Sequence, residues 1–278
     1  MVTAQLVKEL RERTGISMMD CKTALMESDG DIEKAIEVLR KKSVLKAEKK
    51  SGRATNEGAI VIGTSDDVSF IVEVDTETDF AAKDASFQNF LNELTIFCKE
   101  QTPSDLDDLN EKYNAQLLKI IQKIGENIKI SYFEKLATDD CVLASYKHSD
   151  NRLAAIVKMD SGDESLGKDI AMQVAANNPM AIYPDDIDQN ILDKEKEIAL
   201  ATLADENKPD DIKEKIIIGK LNKFKMENAL VEQPFIKDPD KKIKDLLGNS
   251  KIISFLRKKV GEWQKKDAIT SKNALYLI

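Results

Sequence analysis

The spacing of apolar residues changes several times along the chain, and each change marks a new kind of element. Near the start Leu6, Val7 and Leu10 recur at helical spacing, and Thr14-Gly15 ends the pattern. Ser17 stands where it caps a second helix, Met18 to Glu27, with Asp20 placing a carboxylate in its first turn. After the Ser28-Asp29-Gly30 turn, Asp31 caps a third helix striped by Ile32, Ala35, Ile36 and Leu39. Helices this short predict a small bundle, a docking module that offers a face without a deep pocket. From Gly58 the period becomes two. Ala59-Ile60-Val61-Ile62 and Phe70-Ile71-Val72-Glu73-Val74, joined at Ser65-Asp66-Asp67, predict a β-hairpin. Helices follow over 83–98, with Phe87, Phe90, Leu91 and Leu94 inward, and over 105–125, then a strand at Ile128-Lys129-Ile130.

A second unit opens at Cys141. Strands at 142–146 and 153–157 flank a Ser149-Asp150-Asn151 turn, and a helix runs from Leu166 to Asn177. Val72-Glu73-Val74-Asp75 matches Val157-Lys158-Met159-Asp160. Lys83-Asp84 and Lys168-Asp169 stand at the same distance beyond, where the helix of each half is expected to start. This points to an internal duplication of a β-β-α unit, an α+β arrangement with sheets buried under helices. Residues 185–230 read differently. Asp185-Asp186 opens a helix bearing Ile187, Ile191 and Ile198, Asn207 to Asp210 turn, and a second helix carries Ile212, Ile216, Leu221 and Phe224. Narrow stripes and a tight turn predict an inserted antiparallel, coiled-coil-like hairpin. Ile243, Leu246, Leu247, Ile252, Ile253 and Phe255 supply further core, and the pattern fades after Gln264. The expected divisions are a three-helix domain with a basic linker (1–53), two core halves (54–139; 140–183 with 232–263), the hairpin (184–231) and a C-terminal module (264–278).

Composition narrows the function. The 278 residues are 42% hydrophobic and 33% charged, so the chain is long enough for several folded domains. A formal net charge of −8 opposes the phosphate backbone, so direct nucleic-acid binding is not expected. No apolar run spans a membrane and no signal pattern opens the chain, so a cytoplasmic protein is expected. The basic stretch 40–53, with Glu48 its one acid, is a solvated linker or a contact for an acidic surface.

Cys21, Cys98 and Cys141 are dispersed, and His148 is the one histidine, which argues against zinc and against disulfides. A Cys141–His148 couple would sit at opposite ends of one strand. The acid pairs Asp66-Asp67, Asp107-Asp108 and Asp139-Asp140 read as solvated turns, and no phosphate-binding glycine loop occurs. No catalysis and no cofactor are expected. The exception to these bland readings is the acidic loop Asp75 to Asp84 with its lone Phe80. Phe80 either staples onto its own helix near Phe87 or projects as an interface anchor.

Five blocks in order carry a resemblance to the bacterial elongation factor Ts family. They are Leu6 to Gly15 with Met18 to Lys22 and Gly30 to Ile36; Thr78-Asp79-Phe80 with Ala82-Lys83-Asp84; Lys123 to Ile128; Ser145-Tyr146-Lys147-His148; and Gln233-Pro234-Phe235. The resemblance implies a ubiquitin-associated-type N-terminal bundle, a duplicated core, the inserted hairpin and a C-terminal helical module. It implies a guanine nucleotide exchange factor, not an enzyme, whose partner is elongation factor Tu. Thr78, Asp79, Phe80 and Ala81 match the segment that disturbs that GTPase's magnesium site. Arg11, Met18, Met19, Ile124, Gly125 and His148 match partner-contact positions. Core packing is the competing reading of the two methionines. Ala81 stands where the family usually has Val, which implies a lighter contact. A homodimer or 2:2 complex through the core or the hairpin is compatible with the sequence.

Overall fold

The computed structural model describes residues 2–65, 67–203 and 209–262. They divide between two compact units, one from 1–63 and 70–134, the other from 64–69 and 135 onward.

The first unit opens with helices α1 (Ala4–Thr14), α2 (Met18–Glu27) and α3 (Ile32–Lys50). Thr3, Ser17 and Asp31 accept hydrogen bonds from the backbone N–H of Leu6, Asp20 and Lys34, so each helix starts on a side-chain cap. Gly15 ends α1 at φ 70°, where a side chain would be strained. Leu10, Cys21, Ala24, Leu25 and Ala35 are fully enclosed. The expected basic linker is largely helix: α3 continues to Lys50. Its buried stripe continues through small residues, with Ser43 enclosed and Ala47 packed on the neighbouring core. Its cations also find carboxylates, Lys42 on Glu27 and Lys46 on Asp20 at 2.8 Å.

Strands β1 (Glu57–Thr64) and β2 (Val68–Thr76) form the predicted hairpin. Then come α4 (Asp79–Lys83), α5 (Ala85–Gln101), α6 (Leu106–Ile124) and β3 (Ile128–Ala137), in a sheet ordered β1-β2-β3. β2 is central and buried along almost its whole length, so Glu73 is enclosed although an alternating strand would expose it. Phe87, Phe90 and Leu94 of α5 and Leu109, Tyr113 and Ile121 of α6 cover Phe70, Val72 and Val74. The long helix starts at Ala85 rather than Lys83, because Asp84 caps it by accepting from the Ser86 N–H at 2.7 Å. Asp107-Asp108, expected in a turn, lies in the first turn of α6, where carboxylates favour the helix end.

The second unit contains β4 (Val142–Lys147), β5 (Leu153–Met159) and α7 (Glu164–Asn177). α8 (Gln189–Thr202), α9 (Asp210–Asn228), β6 (Pro234–Phe235), β7 (Asp238–Lys242), α10 (Ile243–Leu247) and β8 (Ile252–Lys259) follow. β5 pairs antiparallel with β4 (Val142 opposite Met159) and with β8 (Leu153 opposite Lys259). α7 packs so close on β4 that a Cβ on Gly167 would lie 2.5 Å from that of Ala144. Asp163 caps α7, so Lys168-Asp169 sits inside the helix and does not match Asp84, contrary to the expected start there. Gln173, fully buried on α7, donates to Gln233 Oε1 at 3.2 Å and to the Pro234 carbonyl at 3.1 Å, and accepts from the Ile236 N–H at 3.0 Å. This pins the Gln233-Pro234-Phe235 block.

α8 and α9 run antiparallel. Phe224 packs with Ile191 and Leu192, Ile217 with Ala199 and Leu203, and Lys225 pairs with Asp185 at 3.2 Å. The first of these helices starts at Gln189, not Asp185. Pro184–Asp186 is a single 3-10 turn, and Asp188 provides the cap. Asp66, Asn207, Lys208 and the expected module 264–278 lie outside the described residues.

Candidate partner-binding site

α4 is a single turn, far too short to persist alone. Its N-terminus is held by side chains distant in sequence. Thr78 caps it, accepting from the Ala81 N–H at 3.2 Å. The Thr78 backbone N–H and hydroxyl both donate to the Glu126 carboxylate, at 3.0 and 2.7 Å, and the Thr76 hydroxyl donates to the Thr78 carbonyl at 2.8 Å. Glu126 is presented by the end of α6, where Gly125 at φ 85° turns the chain and donates to the Ile121 carbonyl at 2.9 Å. Ile124, just before it, is half-buried against the sheet core.

The neighbouring residues repeat the device. Glu77 accepts from the Asn127 N–H at 2.6 Å. The buried Asn127 amide donates to the carbonyls of Ser51 at 3.3 Å and Arg53 at 2.9 Å. Lys50 donates to the Gly125 carbonyl. The end of α3, the end of α6 and the loop before α4 are therefore one hydrogen-bonded junction, all within the first unit.

On α4 itself Ala81 and Ala82 face inward, and Gln88 donates to the Ala82 carbonyl at 2.6 Å. Phe80 faces out and is 81% exposed, more than any other large apolar residue described. The staple reading is thereby excluded: Phe87, its expected partner, is wholly enclosed between α5 and the sheet. Because Ala81 is buried beneath the tip, its small size bears on packing under α4. Asp79 pairs with Lys83 at 2.7 Å, and that hydrogen bond holds its carboxyl below the ordinary value.

The bundle presents a second apolar face. Met18 and Met19 are 47% and 70% exposed, so neither is core, and Arg11 is exposed on α1. Met26, 62% exposed, joins the face and was not singled out from the sequence. Its spacing of seven from Met19, two helical turns, was the available signal. His148 belongs to the second unit, just after β4. Its Nδ1 lies 3.2 Å from Asp150 Oδ1, and the His148 backbone N–H donates to the Leu153 carbonyl at 2.8 Å.

Cys141 and His148 are not brought together as a nucleophile and base. β4 runs the whole way between Cys141 and His148. Cys21 and Cys98 are buried, and burial pushes the Cys98 thiol up to about 12, away from the reactive thiolate. Among the described residues no cluster of three potential metal ligands occurs.

A family model described as Elongation factor TS matches residues 77–262, which takes in the α4 segment, Ile124-Gly125 and His148. The chain belongs to the elongation factor Ts family. A curated elongation factor Ts of Marinobacter nauticus is 46% identical over 273 residues, covering 96% of this chain and 94% of that protein. Those of Hahella chejuensis and Clostridium kluyveri are 42% and 43% identical, each covering 96% of this chain and 95% of the relative. These alignments include the N-terminal bundle, which lies before the segment matched by the family model. Membership of the elongation factor Ts family makes the chain a translation elongation factor.

Proposed function

We propose that this chain is a guanine nucleotide exchange factor for elongation factor Tu and performs no covalent chemistry of its own. One observation carries this reading: a phenylalanine that a soluble protein would ordinarily cover stands 81% exposed on a turn of helix held in place by the Thr78–Glu126 clamp. A turn of backbone held in advance presents its uncovered side chain to a partner's pocket without the entropic cost of ordering that backbone.

A GTPase holds GDP through backbone donors on the phosphates and through a bridging Mg²⁺. Phe80 wedges between elements of the GTPase and shifts them, and Asp79, released from Lys83, disturbs the Mg²⁺ shell. Thr78 and Ala81 set the position of the wedge. Arg11, Met18 and Met19 on the bundle, Ile124 and Gly125 at the junction, and His148 on the second unit complete the contact. The methionines suit an adaptable apolar surface. Exchange requires tighter binding to the nucleotide-free partner than to the GDP form, since equal affinity shifts nothing. By reciprocity nucleotide weakens the factor's binding equally, and GTP then displaces it. A coupling of about 4 kcal/mol corresponds to roughly 10³-fold.

The architecture fits this role as a ubiquitin-associated-type bundle, a duplicated core and an inserted coiled-coil hairpin. The orders β1-β2-β3 and β4-β5-β8 support duplication, since each places a hairpin's second strand at the centre and closes with a strand that follows helices. We read the protein as cytoplasmic; among the described residues no helix is long and apolar enough to cross a membrane. Release of a fluorescent GDP from purified elongation factor Tu tests the function. Catalytic acceleration by sub-stoichiometric protein supports exchange. A stable complex without acceleration would make the chain an adaptor only.

A further inference from the structure

Although the bundle alone offers no deep pocket, a cavity of about 520 Å³ opens where α3 meets α6. Its size is that of a small-molecule site. Ile16, Ile36 and Leu39 line it from the bundle and Leu118 from α6. Its charged groups are all cations. Arg40 on α3 and Lys119 on α6 both line it, and neither makes an ion pair among the described residues. Arg13 also lines it, but its guanidinium is occupied by Glu33 at 2.7 Å. The lining contains no carboxylate, in a chain of net charge −8.

An apolar wall flanked by two cations without ion-pair partners is complementary to one chemistry. We propose that this cavity binds a small amphipathic carboxylate, its aliphatic chain against Ile16, Ile36, Leu39 and Leu118 and its carboxylate between Arg40 and Lys119. A neutral apolar ligand would leave the cations unused. A bare inorganic anion would leave the apolar wall uncovered. The site does not depend on the exchange function.

The test is a methyl-detected NMR titration of the full chain with sodium octanoate, with 1-octanol as the uncharged molecule of equal length. Octanoate is expected to shift the methyls of Ile16, Ile36, Leu39 and Leu118 saturably. Octanol should bind at least about tenfold more weakly, because it forgoes the charge-assisted hydrogen bonds. The double variant Arg40→Ala/Lys119→Ala changes two exposed side chains, and an otherwise unchanged spectrum reports that it is folded. It should weaken octanoate by a similar factor and leave octanol as it was. Equal affinity for the two molecules would overturn the proposal. So would an octanoate response that the double variant does not alter, shifts confined to the α8–α9 hairpin, or a site that answers only to an acidic peptide.

Discussion

Replacing Phe80 by alanine removes the tip of α4 and leaves its mounting. The side chain is 81% exposed, so the free protein should lose no more than about 0.5 kcal/mol of stability. Burying a whole phenylalanine side chain is worth about 1.5–3 kcal/mol, and 81% of that is about 1.2–2.4 kcal/mol available on binding. If the wedge is engaged only when nucleotide is leaving, the same energy is lost from the barrier, and accelerated GDP release should slow by about 8- to 60-fold. The assay is stopped-flow release of fluorescent GDP from elongation factor Tu at saturating variant, beside a thermal melt. Wild-type release at saturation with an unchanged melting temperature would refute the wedge. Slower release accompanied by a lower melting temperature would instead point to a structural role for Phe80, against its exposure.

Three other outcomes follow from the same geometry. Glu126→Ala deprives the Thr78 amide and hydroxyl of their shared acceptor. Hydrogen exchange at residues 79–83 should quicken by about tenfold or more, and unchanged protection would show the clamp to be unnecessary. Gly167→Ala puts a methyl 2.5 Å from the Ala144 Cβ, and overpacking of about 1–3 kcal/mol should outweigh the gain in helix propensity; a raised urea midpoint would contradict the packing described. Acid stability can be read at Asp20, whose carboxyl is held below the usual 3.8 first by the Lys46 hydrogen bond. Its folded value lies below its unfolded value, so its contribution is complete above about 3.8 and is lost as pH falls through the lowered value. Lys46→Ala should raise the Asp20 value measured by carboxyl NMR and reduce that part of the acid dependence.

Much of the fold is local chemistry and could be read locally. Ser17 and Asp31 cap the helices they were expected to cap because a cap needs only a side-chain oxygen and the amide three residues on. Both hairpins were visible in their period-two runs. The helix through the basic stretch is hard to read because its charges surround a stripe of small residues, Ser43 and Ala47, that packs without looking apolar. The Lys83-Asp84 and Lys168-Asp169 match failed for a similar reason. Identical strings do not fix a helix start when an earlier Asp, here Asp163, is free to cap. The two readings of Phe80 could not be separated in the sequence because the deciding contact, Thr78 with Glu126, joins positions 48 apart. Once α6 brings Glu126 beneath the loop, α4 is fixed with its alanines inward and its aromatic ring outward.

The central claim is that the Phe80 tip favours the empty partner over the loaded one. Titration calorimetry of this protein into nucleotide-free and into GDP·Mg²⁺-bound elongation factor Tu measures that difference directly. The account predicts an affinity for the empty form higher by orders of magnitude, with the gap narrowed in Phe80→Ala. Equal affinities for the two forms would contradict it.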